Sequence, residues 1–227
     1  MSERRSSVTE QAEILAVDEE HLPALAELAA VIWRSHYPGI ITPAQIEYML
    51  ERMYSIETMR REIRTEGINY YRLIMKKPFS RPHFAPARYR DEPQPEPTGS
   101  ISQRKTTLSP SDGERDVVRG DSVDDQRSNM MSGFASIGPA GEGVMKLHKL
   151  YVLPELQGRG LGSRLLRHCE NEAARLGASR LILAVNKRNT KAIAAYERNG
   201  YKVIESVVND IGGGFVMDDF VMGKGLP

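Results

Sequence analysis

Six consecutive residues, Gln157-Gly158-Arg159-Gly160-Leu161-Gly162, have the types and the spacing to hold an anion. Alternating glycines let backbone amides come close to a ligand, because no Cβ stands in the way. The run follows a strand-like stretch that breaks at Pro154, and it opens the helical pattern Ser163 to Leu176. The first turn of a helix presents N–H groups that lack intrahelical acceptors, and the helix dipole adds partial positive charge there. Arg159 adds a side-chain cation nearby. These features predict a phosphate cradle over Gln157 to Ser163, although the same glycines would also serve a plain tight loop.

Two other phosphate motifs fail. A P-loop needs Gly-Lys five and six residues after its first glycine, whereas Gly158 is followed there by Ser163 and Arg164. The dinucleotide fingerprint needs a glycine at Ser163 and an acidic residue about 20 positions on, where the apolar run Leu181 to Val185 stands instead.

The elements that must position this loop can be read along the chain. Residues 1–11 are polar and are expected to form a mobile arm, and Ala12 to Val17 is expected to be the first strand. A helix is predicted from His21 to His36, with Leu22, Leu25, Leu28, Ala29 and Ile32 on one face. A second follows from Pro43 to Tyr54, with Thr42 as N-cap, and a third from Ser55 or Ile56 to Glu66. Together they form a block rich in Tyr and Met: Trp33, Tyr37, Tyr48, Met49, Met53 and Tyr54. Such a block reads first as an amphipathic core face, and alternatively as one that in part walls a substrate pocket.

Tyr70 to Met75 is strand-like, after which the composition changes. From Pro78 to Met131, prolines, arginines and acids dominate, with only isolated aliphatic residues. A segment of that kind cannot bury enough apolar surface to offset its ordering entropy, so a disordered insertion is expected at about 78–131. Loop-closure entropy grows slowly with length, and the insertion is tolerable if Tyr70–Met75 and Gly133–Ile137 are neighbouring strands. Beyond it come the strand Met145–Val152, the helix Ser163–Leu176, the strand Arg180–Val185 and the helix Thr190–Asn199. Two closing strands, Lys202–Asp210 and Met217–Met222, are joined by Gly212-Gly213-Gly214 as a hairpin. Residues 12–227 thus read as a single domain.

The net charge of +1 at pH 7 calls for neither nucleic acid nor an anionic membrane. The lone Cys169 fits a reducing compartment, and no apolar run approaches the roughly 20 residues of a membrane span. A cytoplasmic protein is expected, with oligomeric state left open and a homodimer allowed.

The loop resembles the pyrophosphate signature Gln/Arg-x-x-Gly-x-Gly/Ala of the GNAT family of N-acetyltransferases, matched by Gln157, Gly160 and Gly162. The resemblance continues through Asn186, Asn189 and the run Ala192 to Tyr201, which is similar to that family's A-x-x-x-Y-E-x-x-G-F/Y helix. It implies an α/β (α+β) fold with a mixed, mostly antiparallel sheet of six to seven strands, splayed between strands 4 and 5 and flanked by helices. It also implies acetyl-CoA as cofactor and a small-molecule or peptide amine as acceptor. The pantetheine arm would pair with the backbone of Leu150, Tyr151 and Val152, and Asn189, with Asn186 as a weaker candidate, would touch the cofactor. Both asparagines can equally cap a helix or turn the chain.

Amine acetylation needs a neutral amine, a polarised thioester carbonyl and a proton for the departing thiolate. The resemblance places Tyr196 near the sulfur as donor of that proton. His148, on the fourth strand, is the first candidate base, because imidazole titrates near neutrality, although a lone strand histidine is often structural. Asp218 and Asp219, with Tyr37 and Tyr54 from the helical block, can bind or orient a cationic amine. The alternatives are an acyl-CoA-binding module without turnover and a transferase that uses a longer acyl donor.

Overall fold

The computed structural model describes residues 12–76 and 130–227. The expected arm, 1–11, and residues 78–129 of the expected insertion lie outside the described residues. Seven strands form one sheet: β1 (Ala12–Ala16), β2 (Asn69–Met75), β3 (Met130–Gly141), β4 (Val144–Val152), β5 (Arg180–Asn186), β6 (Lys202–Gly212) and β7 (Phe215–Gly225). Their spatial order is β1-β2-β3-β4-β5-β7-β6. Every adjacent pair is antiparallel except β4 and β5.

That parallel pair is short. Val144 to Leu147 run beside Arg180 to Leu183, and the pairing stops there. The two strands separate beyond Leu147 and Leu183, so the expected splay between strands 4 and 5 is present.

Among the described residues, five helices cover the sheet: α1 (Leu22–His36), α2 (Pro43–Tyr54), α3 (Ile56–Thr65), α4 (Leu161–Arg175) and α5 (Thr190–Arg198). The first three pack on one face in a core containing Leu22, Leu25, Ile32, Trp33, Met59 and Phe134. The other core holds Leu165, Leu166, Cys169, Leu181 and Leu183, with Ile193 and Tyr196 of α5 against it. The apolar spacing of α1 does what amphipathic periodicity requires, since Leu25, Ala29 and Ile32 are all buried. Thr42 and Ser55 cap α2 and α3 by accepting hydrogen bonds from Gln45 N and Thr58 N, each at 3.2 Å. No described helix is long and apolar enough to cross a membrane.

Several boundaries differ from the sequence expectation. Met130 and Met131 belong to β3, because their pairing with Met75 and Ile74 prolongs the ladder, so the expected insertion ends before them. Met75 faces Met130, which means the intervening chain leaves and re-enters the sheet at one place. The first helix starts at Leu22, after a single 3-10 turn at Glu19–His21. Helix α4 starts at Leu161, two residues earlier than expected, because Gly160 takes the N-cap position with φ of 84°. The closing hairpin is longer than expected, since β7 continues to Gly225 to pair with Arg180.

The tip of that hairpin docks on α2. Tyr48 Oη donates to Ile211 O at 2.7 Å, and Gln45 Nε2 donates to Val216 O at 3.1 Å. A Cβ on Gly212 would stand 2.8 Å from Tyr48 Oη, and Gly212 and Gly213 have φ of 84° and 63°. Glycine there serves both the turn and the close approach.

One polar cluster pins α3 to the sheet. Lys149 of β4 is 2% exposed, and its Nζ donates to Glu62 Oε2 at 2.7 Å and to Tyr70 Oη at 2.6 Å. Tyr70 Oη also donates to Glu62 Oε2. The ammonium lies 5.0 Å from the Tyr70 ring centroid and 5.6 Å from that of Tyr54. Burial lowers the Lys149 pKa, and the Glu62 carboxylate opposes the shift.

Breaking one side of such a buried pair leaves an uncompensated charge, whereas replacing both partners with apolar residues does not. Glu62→Leu is therefore expected to cost about 3 to 5 kcal/mol in urea denaturation at pH 7. The double variant Glu62→Leu/Lys149→Met should recover most of that loss. A double variant no more stable than the single one would mean that packing, not the stranded ammonium, sets the cost.

Candidate active site

The divergence of β4 from β5 opens a cleft of about 950 Å³. Its floor is β4 from Lys146 to Val152, and one side is formed by β5, the start of α4, and α5. The other side is built from α1, α2 and the β6–β7 hairpin.

At the mouth, the glycine loop has the geometry expected of an anion cradle. Gly158 and Gly160 are left-handed, with φ of 72° and 84°. A Cβ built at Gly158, Gly160 or Gly162 would meet nothing within 4 Å, so the space in front of this backbone is open. Arg164 N bonds to Gly160 O at 3.0 Å as the first helical bond of α4. The amides of Leu161, Gly162 and Ser163 precede it in the first turn, where no intrahelical acceptor reaches them. The side chains of the loop have other tasks. Gln157 folds back so that its Nε2 donates to Val152 O at 3.1 Å, tying the loop to the end of β4. Leu161 is buried in the core at 1% exposure, so only its amide can serve a ligand. Ser163 Oγ accepts from Asn199 Nδ2 at 3.1 Å, and Arg159 is half-buried beside the loop.

The two asparagines shape the opposite lip. Asn189 caps α5 by accepting from Ala192 N at 3.3 Å. Its Nδ2 lies 3.1 Å from His36 Nε2. Asn189 Nδ2 is a donor, so His36 Nε2 acts as acceptor and the ring is neutral, in keeping with a pKa lowered by burial. Asn186 Oδ1 accepts from Arg188 N at 3.0 Å, and Arg188 Nη2 reaches across to Gly39 O at 2.8 Å. Both asparagines therefore cap or turn the chain while also lining the cleft.

Deeper in the cleft, Leu150, Tyr151 and Val152 lie on the part of β4 that has no β5 partner. Tyr151 Oη is 3.1 Å from Tyr37 Oη, and burial raises both phenol pKa values well above the ordinary range. The Trp33 ring centroid lies 4.3 Å from that of Tyr37 and 6.0 Å from that of Tyr151. Tyr196, from α5, faces the same space, and its hydroxyl makes no hydrogen bond to a described residue. Burial keeps it protonated far above neutral pH.

Other candidates separate. Tyr54 is 3% exposed behind Trp33, whose Nε1 donates to its hydroxyl at 3.2 Å, and it does not line the cleft. The structure thus places Tyr54 in the core behind the cleft wall. Asp218 points outward and pairs with Lys187, whereas Asp219 is 5% exposed and lines the cleft. Asp219 Oδ1 is buried without a hydrogen-bond partner, and burial, with Asp218 adding to it, raises the pKa. His148 also lines the cleft, where its Nε2 is buried without a partner. Burial and then Lys146 and Lys149 push its pKa down to about 4, which makes it a weak base at neutral pH. Two residues that sequence reasoning missed are His36, partner to Asn189, and Glu62, beside Lys149. Each pair is far apart along the chain, and only the fold brings it together.

Residues 83–201 match the model of the acetyltransferase (GNAT) family, just over half of the 227 residues, and the chain belongs to that family. An uncharacterised N-acetyltransferase of Bacillus subtilis (strain 168) is 37% identical over 75 residues, which cover 31% of this chain and 50% of that protein. Mycothiol acetyltransferase of Corynebacterium glutamicum (strain R) is 41% identical over 66 residues, 28% of this chain and 23% of that one. The chain thus spans half or less of the length of these curated relatives. Among solved structures, the PaiA N-acetyltransferase of Thermoplasma acidophilum in complex with coenzyme A shares the fold, with TM-score 0.60 and 21% identity. That match covers 94% of this chain and 98% of the other. The ribosomal-protein-S18-alanine N-acetyltransferase of Escherichia coli aligns with TM-score 0.54 at 18% identity, covering 95% and 94%.

The environment of His148 predicts a pH effect. Its pKa is lowered in the folded state, so below the ordinary value near 6.5 the unfolded chain takes up a proton that the folded one refuses. Its contribution is fully favourable above pH 6.5 and is lost as pH falls towards 4. Between pH 6.5 and 4.5, His148→Gln should lose less stability than the wild type, by about 2 kcal/mol in urea melts. Parallel losses in the two proteins would contradict the burial argument.

Proposed function

We propose that this protein is an acetyl-CoA-dependent N-acetyltransferase that moves an acetyl group to a primary amine by direct attack in a ternary complex. The observation that carries the reading is the open glycine cradle at the start of α4, leading into a cleft floored by the unpaired part of β4. Its dimensions and donors fit the donor substrate. The amides of Leu161, Gly162 and Ser163 suit a pyrophosphate, and the free edge of β4 from Leu150 to Val152 suits an amide-bearing arm. The coenzyme A named with the Thermoplasma structure supports this assignment by analogy of fold.

When bound there, acetyl-CoA supplies an acetyl group activated as a thioester. Transfer requires an amine lone pair to reach the carbonyl carbon, and a proton must be delivered to the departing sulfur. Tyr196 meets the second need: its phenol faces the cleft, stays protonated at working pH, and spends its hydroxyl on no described neighbour. Tyr37 and Tyr151 form a hydrogen-bonded pair on the wall and present a fixed polar edge beside that position. His148 is assigned to the wall instead of the proton path, because a group with pKa near 4 cannot efficiently relieve an ammonium of its proton.

Two variants test the reading. Gly162 has an ordinary φ and nothing within 4 Å of a built Cβ, so Gly162→Val should fold normally while filling the cradle. Calorimetry should show acetyl-CoA binding weakened at least about tenfold, the effect of losing close approach to one or two charge-assisted hydrogen bonds. Unchanged affinity would move the donor site elsewhere. Tyr196→Phe removes only a hydroxyl that makes no hydrogen bond to a described residue, so melting temperature should hold while kcat falls about ten- to a hundredfold. A stable Tyr196→Phe enzyme with wild-type kcat would exclude the phenol from proton delivery, and binding of acetyl-CoA without turnover of any amine would favour a binding module.

A further inference from the structure

Resting on that acetyltransferase reading, the chemistry of the cleft narrows the acceptor. The side away from the glycine cradle is walled by Trp33, Tyr37, Met49, Met53, Ile211 and Met217. These are aromatic rings, thioethers and an aliphatic chain, surfaces that favour an apolar body and carry no charge of their own. Asn209 supplies an amide there, but no charge. Glu62 and Lys149, which also border the cleft, are bonded to one another. Asp219 is different. The residue is 5% exposed and its Oδ1 is buried without a hydrogen-bond partner; Lys146 and Lys187 lower its pKa, but burial and Asp218 outweigh them. A buried carboxylate oxygen without a partner is costly, and a cationic ligand group would relieve that cost.

We propose that the acceptor is a primary amine on an uncharged apolar body, whose ammonium is first bound by Asp219 and gives up one proton to solvent before its nitrogen attacks, and whose body is held between the aromatic and methionine wall of α1–α2 and the β6–β7 hairpin. A polyamine would bring a second ammonium against sulfur and ring carbon, and an amino acid would bring a carboxylate there. Neither would meet an opposite charge among these wall residues, and the ring faces of Trp33 and Tyr37 would offset only part of a second ammonium's desolvation. The hairpin side of this pocket is held in place by the bonds from Tyr48 and Gln45 to Ile211 and Val216. These bonds fix the position of the hairpin against α2.

Three probes with one carbon skeleton test this: hexylamine, 1,6-diaminohexane and 6-aminohexanoate. With the full chain and saturating acetyl-CoA, kcat/KM for hexylamine should exceed that for the other two by tenfold or more. Asp219→Asn preserves shape and removes charge, and it should raise the KM for hexylamine about ten- to a hundredfold with acetyl-CoA affinity and melting temperature unchanged. Equal or better use of the diamine or the amino acid would overturn the proposal, as would an unchanged hexylamine KM in Asp219→Asn. Hexylamine binding to the coenzyme A complex, measured by calorimetry, separates this proposal from the reading beneath it. Binding that depends on Asp219 without turnover would uphold the pocket and sink the transferase assignment. Absence of hexylamine binding would sink the pocket, whatever other amine is turned over. Met53→Glu is a second probe on the half-buried wall and should shift preference towards 1,6-diaminohexane; no shift would also count against the pocket.

Discussion

The structure depends on how little of β4 is paired to β5. Four rungs, Val144 to Leu147 beside Arg180 to Leu183, hold the two halves of the sheet together, and the strands then part. Parallel pairing beyond that point would fill the cleft with backbone and leave no room for a ligand. The separation is sustained from both sides. Leu183 and Val185 remain tied to β7 through Met222 and Phe220, while Leu150 and Tyr151 remain tied to β3 through Ala135 and Phe134. Each half keeps a satisfied antiparallel partner, and the edges left over are the ones that face the cleft.

The opening needs walls that do not collapse into it. On the α1–α3 side, buried polar bonds and stacked rings hold the wall in place: Lys149 anchors α3 through Glu62, and Trp33 sits between Tyr37 and Tyr54. Tyr37 reaches Tyr151 on β4 from the same cluster. On the other side, the lip of β5–α5 is tied to the end of α1 through Asn189 and His36, and through Arg188 and Gly39 O. The two halves of the sheet are thus bridged by side chains at the mouth and by the hairpin on α2 farther in. A cavity of about 950 Å³ persists because its rim is bonded, with few of its lining atoms left to pack on one another.

Within the cleft, burial sorts the titratable groups by need. Phenols such as Tyr196 become harder to ionise, and imidazoles such as His36 and His148 become harder to protonate. Asp219 is the exception, a carboxylate held in the wall with one oxygen unpartnered. The same desolvation that lowers the pKa of His148 raises that of Asp219.

Local features were legible in the chain. The glycine loop, the caps Thr42 and Ser55, the face of α1 and the triple-glycine turn each depend on residues within a few positions of one another, so their spacing alone expresses the physics. Even there, the start of α4 moved, because the left-handed φ that Gly160 adopts could not be told from that of its neighbouring glycines. The rest was decided in three dimensions. Asp218 and Asp219 are adjacent, and strand alternation requires that they face opposite ways, but which of them enters the cleft follows from the register Asp219 with Asn186. Tyr37 and Tyr54 come from the same helical block, yet one lines the site and the other lies behind Trp33. His148 has a type suited to a base, but burial beside two lysines removes that capacity. The sequence by itself determined the family, the glycine loop and the order of elements, because these are written in short-range patterns. Tertiary structure alone decided which carboxylate is buried, which tyrosine faces the cleft and which histidine is desolvated, because desolvation and long-range pairing have no signature at short range.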